Sequence, residues 1–122
     1  MRTDPNAASA RDSGIFGLDD APDSAGVVLV PAEFEATTSG GQGTVDGPRT
    51  ILKASRELDL RDLGMGDPWR SVIAMDEPDQ RIRQASDAAA ELAALRFEGR
   101  VSADALATGN RLCAQANDWV FV

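Results

Sequence analysis

The chain has 122 residues, of which 43% are hydrophobic and 26% charged, a composition typical of one globular domain. It contains no histidine and one cysteine, which excludes a Ser/His/Asp or Cys/His nucleophile system and a histidine-rich metal site from this polypeptide. Its 12 basic and 20 acidic side chains give a net charge of -8, which would repel nucleic acid rather than attract it.

The sequence also predicts a compartment. Cys113 has no second cysteine with which to form an intramolecular disulfide, and this favours a reducing environment. The first residues are polar, and the longest apolar run, at 27–30, is far shorter than the roughly 20 residues that a membrane helix requires. We therefore expect a cytoplasmic protein without a membrane partner.

The first predicted elements are an arm and a strand. Residues 1–13 are rich in Asp, Ala and Ser without any period, which predicts a disordered N-terminal arm ahead of a domain over 14–122. After an apolar cluster at 14–18, residues 26–31 read Gly-Val-Val-Leu-Val-Pro. This continuous β-branched run predicts a strand buried on both faces of a mainly parallel sheet.

A loop and a helix follow. Residues 36–47 are crowded with Thr, Ser and Gly, which predicts a loop at the carboxyl end of the strand, where ligand-facing loops gather in open α/β sheets. Gly47 and Pro48 then begin a helix that we expect to end near Glu57. Its predicted apolar face consists of Ile51, Leu52, Ser55 and Leu58.

The second half of the chain is predicted to be mostly helical. Short strands are indicated at 58–63 and 72–75, and Pro78 begins a long helix that ends near Phe97, before Gly99. Ser102 is a good N-cap for the last helix. The predicted face of the first helix comprises Ile82, Ala85, Ala89, Leu92 and either Leu95 or Arg96. That of the second comprises Ala105, Leu112, Ala116 and Trp119. This order of elements predicts an α/β fold.

Acidic residues raise the question of acid–base or metal chemistry. Glu33 and Glu35 could face one side together as an acid/base pair, but nothing near them in sequence would tune either pKa, so a solvated pair is favoured. The acids at 76–79 surround a helix start, where they act as caps. Those at 19–23 lack the spacing of a calcium loop and indicate a solvated turn.

The remaining candidates also favour structural roles. Cys113 lies in an apolar helix with no histidine to activate it, which predicts a buried, inert thiol rather than a nucleophile. Trp69 and Trp119 could stack on a ligand, but packing in a core or interface is the commoner use. The Ala-rich run at 85–94 could bind a partner helix, although close packing within the protein's own core is favoured.

One segment resembles a known family. Residues 37–55 read Thr-Thr-Ser-Gly-Gly-Gln-Gly-Thr-Val-Asp-Gly-Pro-Arg-Thr-Ile-Leu-Lys-Ala-Ser. This segment resembles the signature near the start of the ureohydrolases, the arginases and agmatinases, in which a first strand is followed by a Thr/Ser-Ser loop, Gly-Pro and a helix. Gly-Ile-Phe-Gly-Leu at 14–18 and Gly-Asp-Pro-Trp at 66–69 surround it as in the agmatinase-like branch. A phosphate cradle is the alternative, but neither common glycine spacing for one is present.

The resemblance implies a three-layer α/β/α domain around a parallel sheet, in which two manganese ions activate a hydroxide that attacks a guanidinium carbon. The family's metal ligands lie in Gly-Asp-His, Asp-Ala-His-x-Asp and Ser-x-Asp-x-Asp segments, C-terminal to the matched region, and this chain contains none of them. We therefore expect the N-terminal part of such a hydrolase, with an incomplete sheet, no bound cofactor and no activity alone.

The resemblance also implies a site-bordering loop. It places five loop residues beside a substrate or a neighbouring subunit: Thr38, Ser39, Gly40, Gly43 and Gly47. No residue matches a family metal ligand or catalytic base. A small guanidino substrate is expected only in a complete enzyme. The alternative is a non-catalytic interaction module that docks on a full-length homologue or forms a homo-oligomer.

Overall fold

The computed structural model describes residues 10–38, 40–58, 60, 63–64 and 66–121, with the backbone alone at 68 and 69. The chain divides into two compact units. The sheet unit comprises Met1–Pro31 and Arg49–Glu77, and the hairpin unit comprises Ala32–Pro48 and Pro78–Val122. Each unit is considered by itself below.

The sheet unit contains a small parallel sheet. Strand β1 covers Val27–Leu29 and strand β2 covers Ile73–Met75, with Val27 opposite Ile73 and Leu29 opposite Met75. The Asp76 N–H continues the ladder by donating to the Leu29 carbonyl at 2.9 Å. The strands predicted at 26–31 and 72–75 are thus confirmed, as is the mixed α/β class.

The predicted burial of β1 on both faces is wrong. Val27 is 46% exposed and Val28 is 38% exposed. Parallel strands are buried on both faces when helices cover the sheet on each side. In the described part of this unit, no layer covers these valines, so their apolar side chains reach solvent.

The residues just before β2 lie close against the start of β1. Val72 has a φ of +54°, which is rare for a β-branched residue, and its carbonyl accepts from the N–H groups of both Gly26 and Val27, at 2.9 and 3.2 Å. At Gly26 a Cβ atom would collide with the Ser71 carbonyl oxygen. The close approach of these two backbones therefore requires glycine at 26.

Helix α1, Gly47–Ser55, confirms the predicted helix, although it ends two residues earlier. Its residues from Arg49 onward belong to the sheet unit, where the buried Ser55 hydroxyl accepts from the Phe16 N–H at 2.9 Å. The predicted apolar face is only partly buried: Ser55 is buried and Leu52 half-buried, but Ile51 is 57% and Leu58 is 59% exposed. The buried apolar residues of this unit are instead Ile15, Leu18 and Ala74.

The hairpin unit contains helix α2, Gln80–Phe97, and helix α3, Ala103–Val120, which pack against each other. The Asp79 carboxylate accepts from the Arg81 N–H at 2.8 Å, and the Ser102 hydroxyl accepts from the Ala105 N–H at 3.1 Å. Both N-caps confirm the sequence prediction, although α2 begins at Gln80 rather than Pro78.

The turn between the two helices follows the Schellman pattern. Gly99 has a φ of +69°, its N–H donates to the Arg96 carbonyl at 3.0 Å, and the Arg100 N–H donates to the Leu95 carbonyl at 2.9 Å. This confirms Gly99 as the residue that ends α2. Of the predicted apolar faces, Ile82, Ala85, Ala89 and Ala116 are buried. Others are half-buried: Leu92, Ala105, Leu112 and Trp119.

Some predictions fall on residues outside the described ranges. Residues 1–9 of the predicted arm are among them, so the disordered arm stays a prediction. The predicted strand at 58–63 falls partly on 59, 61 and 62, and Leu63 lies in a turn. Within the described residues, no helix combines the length and apolar character needed to cross a membrane.

Candidate functional site

In the Thr/Ser/Gly-rich loop of the hairpin unit, backbone N–H groups donate to one carboxylate. We call residues 35–47, apart from 39, the Glu35 loop. The Glu35 carboxylate accepts from the Gly43 N–H at 2.9 and 3.0 Å and from the Val45 N–H at 3.0 Å. These N–H groups lie at the start of a 3₁₀ turn, Thr44–Asp46, that leads into α1. The side chain therefore satisfies backbone donors that the turn leaves free.

Two further features shape the same loop. The Thr38 hydroxyl donates to the Gly41 carbonyl at 2.5 Å and lies 3.3 Å from the Glu35 carboxylate. Gly43 has a φ of +121°, a conformation that side-chain-bearing residues rarely adopt. Threonine and glycine at these positions thus have local structural reasons.

Helix α2 anchors the beginning of the loop. The Glu35 N–H donates to the buried Ser86 hydroxyl at 2.6 Å. Arg83, also on α2, lies 3.4 Å from the Glu33 carboxylate and 3.3 Å from the Asp46 carboxylate. One helix therefore holds both ends of the segment, through a hydroxyl and a guanidinium group.

These contacts correct the prediction that Glu33 and Glu35 form a solvated, untuned pair. Glu33 is only 6% exposed, and Arg83 supplies the partner that a buried charge requires. Hydrogen bonds from the Val45 and Gly43 N–H groups hold the pKa of Glu35 below its ordinary value of 4.5. Glu35 is therefore ionised at neutral pH and has no proton to donate as a general acid.

The structure distributes the five predicted site residues unevenly. Thr38 and Gly43 line a groove of about 560 Å³ together with Glu35, Asp46 and Asp87. The other predicted residues differ: Gly40 is exposed in the loop, Gly47 begins α1, neither lines this groove, and Ser39 lies outside the described residues.

Sequence reasoning considered Glu35 as half of an acid/base pair and missed its role as the acceptor for the turn. A glycine-rich turn exposes N–H groups that need an acceptor, and a carboxylate just before the turn is the nearest source of one. The same contacts weaken the phosphate-cradle alternative, because the Gly43 and Val45 donors that an anion would use are already bound to Glu35.

A second groove, of about 640 Å³, lies between α2 and α3 and shares several lining residues with the first, among them Thr38 and Phe97. Its walls include Leu92, Gly109 and Cys113. Cys113 is half-buried rather than fully buried as expected, and it faces this groove.

The remaining candidates are the two tryptophans and the acidic residues. Trp119 is half-buried and its ring lies 5.1 Å from the Arg81 guanidinium carbon, so it packs within the hairpin unit as expected. The side chain of Trp69 lies outside the described part of the chain. Asp79 acts as the predicted cap. Among the described residues, no group of three or more Cys, Asp or Glu side chains is close enough together to hold a metal ion.

No protein-family model, curated protein or solved structure matches this chain. The ureohydrolase interpretation therefore depends on the residues at 14–18, 37–55 and 66–69 and stays a prediction.

Proposed function

We propose that this chain is the N-terminal, non-catalytic part of a ureohydrolase-like enzyme that hydrolyses guanidino C–N bonds. Its role would be to supply the first strand of the sheet in a three-layer α/β/α domain. It would also supply a loop that borders the substrate or a neighbouring subunit. The order of elements supports this proposal: β1, the Glu35 loop, the Gly47-Pro48 helix start and then a parallel β2.

The observation that carries the proposal is the exposed apolar surface of β1. Val27, Val28 and Val30 are each more than a third exposed, although a parallel strand of this composition is normally covered on both faces. Additional strands and helices of a complete α/β/α domain would cover these side chains. The family assignment itself comes from the ordered residues at 37–55.

In this proposal the metal ligands belong to the remainder of the enzyme, and this chain contributes a loop beside the substrate. Manganese in such a hydrolase needs histidine and carboxylate ligands, and this chain contains no histidine. Thr38 and Gly43 would border the guanidino substrate, and Glu35 would keep their loop ordered. A cytoplasmic location agrees with this assignment, since the single cysteine favours a reducing compartment.

The decisive test reads the DNA that follows the codon for Val122. We expect it to encode Gly-Asp-His and Asp-Ala-His-x-Asp segments, in the same or a shifted frame. Unrelated sequence in all frames would contradict the ureohydrolase proposal. As a biochemical companion, the chain with Mn²⁺ and agmatine or arginine should release no urea above a protein-free blank.

The same exposed valines also favour a second candidate, a non-catalytic module that docks on a full-length homologue. The two candidates differ in what the isolated chain does. An incomplete domain should self-associate or unfold without cooperativity, whereas a module should be a monomer that melts sharply. Sedimentation velocity and a thermal melt followed by circular dichroism distinguish them.

A pair of matched variants locates the associating surface. Val28→Lys adds a charge on the exposed strand, and Ala21→Lys adds the same charge on an exposed residue outside it. If the chains associate through β1, Val28→Lys should make the protein monomeric and Ala21→Lys should not. Equal behaviour of the two variants would remove β1 from the argument.

A further inference from the structure

The groove between α2 and α3 has the size and wall chemistry of a small-molecule site. Its volume of about 640 Å³ lies within the range of pockets that hold such ligands. Most of its wall is apolar, from side chains of both helices: Ala89, Leu92 and Ala93 on α2, and Ala105, Leu106 and Cys113 on α3. An apolar ligand segment would lie here out of water.

One cation lines this apolar wall. Arg96 borders the groove near the end of α2, and among the described residues it forms no ion pair. Neighbouring arginines of the same unit behave differently, since Arg81 and Arg83 are each bound to carboxylates. In a chain with 20 acidic side chains, an arginine without a carboxylate beside an apolar groove offers a place for one from outside.

Gly109 is a second observation that favours a binding role for the groove. It lies in the interior of α3, where glycine disfavours the helix relative to alanine. Its backbone does not need glycine, because Gly109 is not among the residues with positive φ. A Cβ atom at this position would lie 3.8 Å from Leu92 Cδ1, an ordinary contact distance. Neither helix geometry nor packing of α2 on α3 requires glycine here, and its effect is a deeper groove.

Phe97 lines the groove with a mostly exposed ring. It is 82% exposed, which is unusual for a large aromatic side chain. An apolar chain lying in the groove would allow this ring to bury part of its surface.

We propose that this groove binds a monocarboxylate with a medium-length apolar chain, whose chain contacts Leu92 and Gly109 and whose carboxylate pairs with the Arg96 guanidinium. The net charge of the protein does not prevent this, because salt at physiological strength screens exposed charges beyond about 8 Å. Binding is non-covalent and does not depend on the proposed ureohydrolase function.

Cys113 allows a direct test, because it is the chain's single cysteine and lines the groove. The rate of its alkylation by iodoacetamide is measured with and without sodium decanoate below its micelle concentration. Decanoate should slow the reaction severalfold at saturation. Decan-1-ol should protect more weakly, and decyltrimethylammonium should not protect, because Arg96 repels it. Agmatine should not protect either, which separates this site from any guanidino site.

Two arginine variants test the carboxylate contact. Arg96→Gln should raise the decanoate concentration for half protection about fivefold, the effect of an exposed ion pair of moderate strength. Arg111→Gln is the control, since Arg111 is an exposed α3 residue that does not line the groove. It should leave protection unchanged.

A third variant tests the apolar part. Gly109→Leu should fill the groove and abolish protection by decanoate; should circular dichroism show that this variant is unfolded, Arg96→Gln decides alone. Equal protection by decanoate and decan-1-ol, an unchanged midpoint in Arg96→Gln, or no protection by decanoate would each overturn the proposal.

Discussion

The hairpin unit and the sheet unit differ in how their helices and strands are capped, paired and covered. In the hairpin unit, side chains just ahead of each helix cap it, and the two helices bury one another's small residues. In the sheet unit, each strand has three residues, and β1 leaves valines in solvent. Helical hydrogen bonds join neighbours in sequence, whereas a parallel strand needs partners and cover from distant segments. The described part of the sheet unit thus leaves apolar strand surface uncovered.

The sharpest test of this difference compares two core deletions. Ile82→Ala, at a buried position of α2, should lower the free energy of unfolding by about 3 kcal/mol. Val28→Ala, on β1, should lower it by less than about 1 kcal/mol, because part of that side chain is already in water. Urea unfolding followed by circular dichroism measures both. Equal losses would mean that β1 is as well packed as the hairpin.

The cap of α3 should have a smaller effect. Ser102→Ala removes the acceptor for the Ala105 N–H and should cost about 1 kcal/mol of stability. Ser102→Asp keeps an acceptor and should restore most of the loss. A variant with aspartate as unstable as the one with alanine would show that the hairpin does not rely on this cap.

Two glycines of the hairpin unit should respond in opposite directions. Gly109→Ala should stabilise the protein by about 0.5–1 kcal/mol, because its backbone conformation suits alanine and the added methyl has room. Gly99→Ala should destabilise it by about 1 kcal/mol, because the φ of +69° disfavours any side chain. Thermal melts of the two variants check the signs, and a destabilised Gly109→Ala would contradict the contact distances around Leu92.

The smallest effect is local and depends on pH. Because the folded-state pKa of Glu35 is lowered, its contribution to the loop is fully present above pH 4.5 and is lost as pH falls through that lowered value. The amides of Gly43 and Val45 should therefore lose hydrogen-exchange protection only in acid. Nuclear magnetic resonance of these two amides follows the transition.

Glu35→Gln is the control for this titration. It should remove the acid transition at Gly43 and Val45 while leaving the separate titration of Asp79, whose pKa is lowered by hydrogen bonds from the Arg81 side chain and N–H. A transition at these two amides that persists in Glu35→Gln would assign it to another group.

The sequence predicted the secondary structure more closely than the burial. The two long helices, their caps and Gly99 follow from signals within a few residues, and the structure confirms them. The predicted face of α1 was only partly right, because a helix's own period does not say which neighbour covers it: Ser55 is buried but Ile51 lies in solvent. Of the four predicted loop residues within the described ranges, Thr38 and Gly43 line the adjacent groove and Gly40 and Gly47 do not, since local sequence does not say where a loop meets a helix.

By itself, the sequence determined the helices, the parallel strand, the acidic charge and the lack of a histidine ligand. These properties depend on residue identity or on neighbours within one or two turns. Only the tertiary structure decided that Glu33 is buried beside Arg83, that Glu35 binds the Gly43 and Val45 N–H groups, and that β1 is exposed. The physical reason is that burial depends on distant segments, as for Glu33 and Arg83, which lie 50 residues apart. The pKa of Glu35 depends on the exact geometry of a turn eight to ten residues away, which residue types alone do not give.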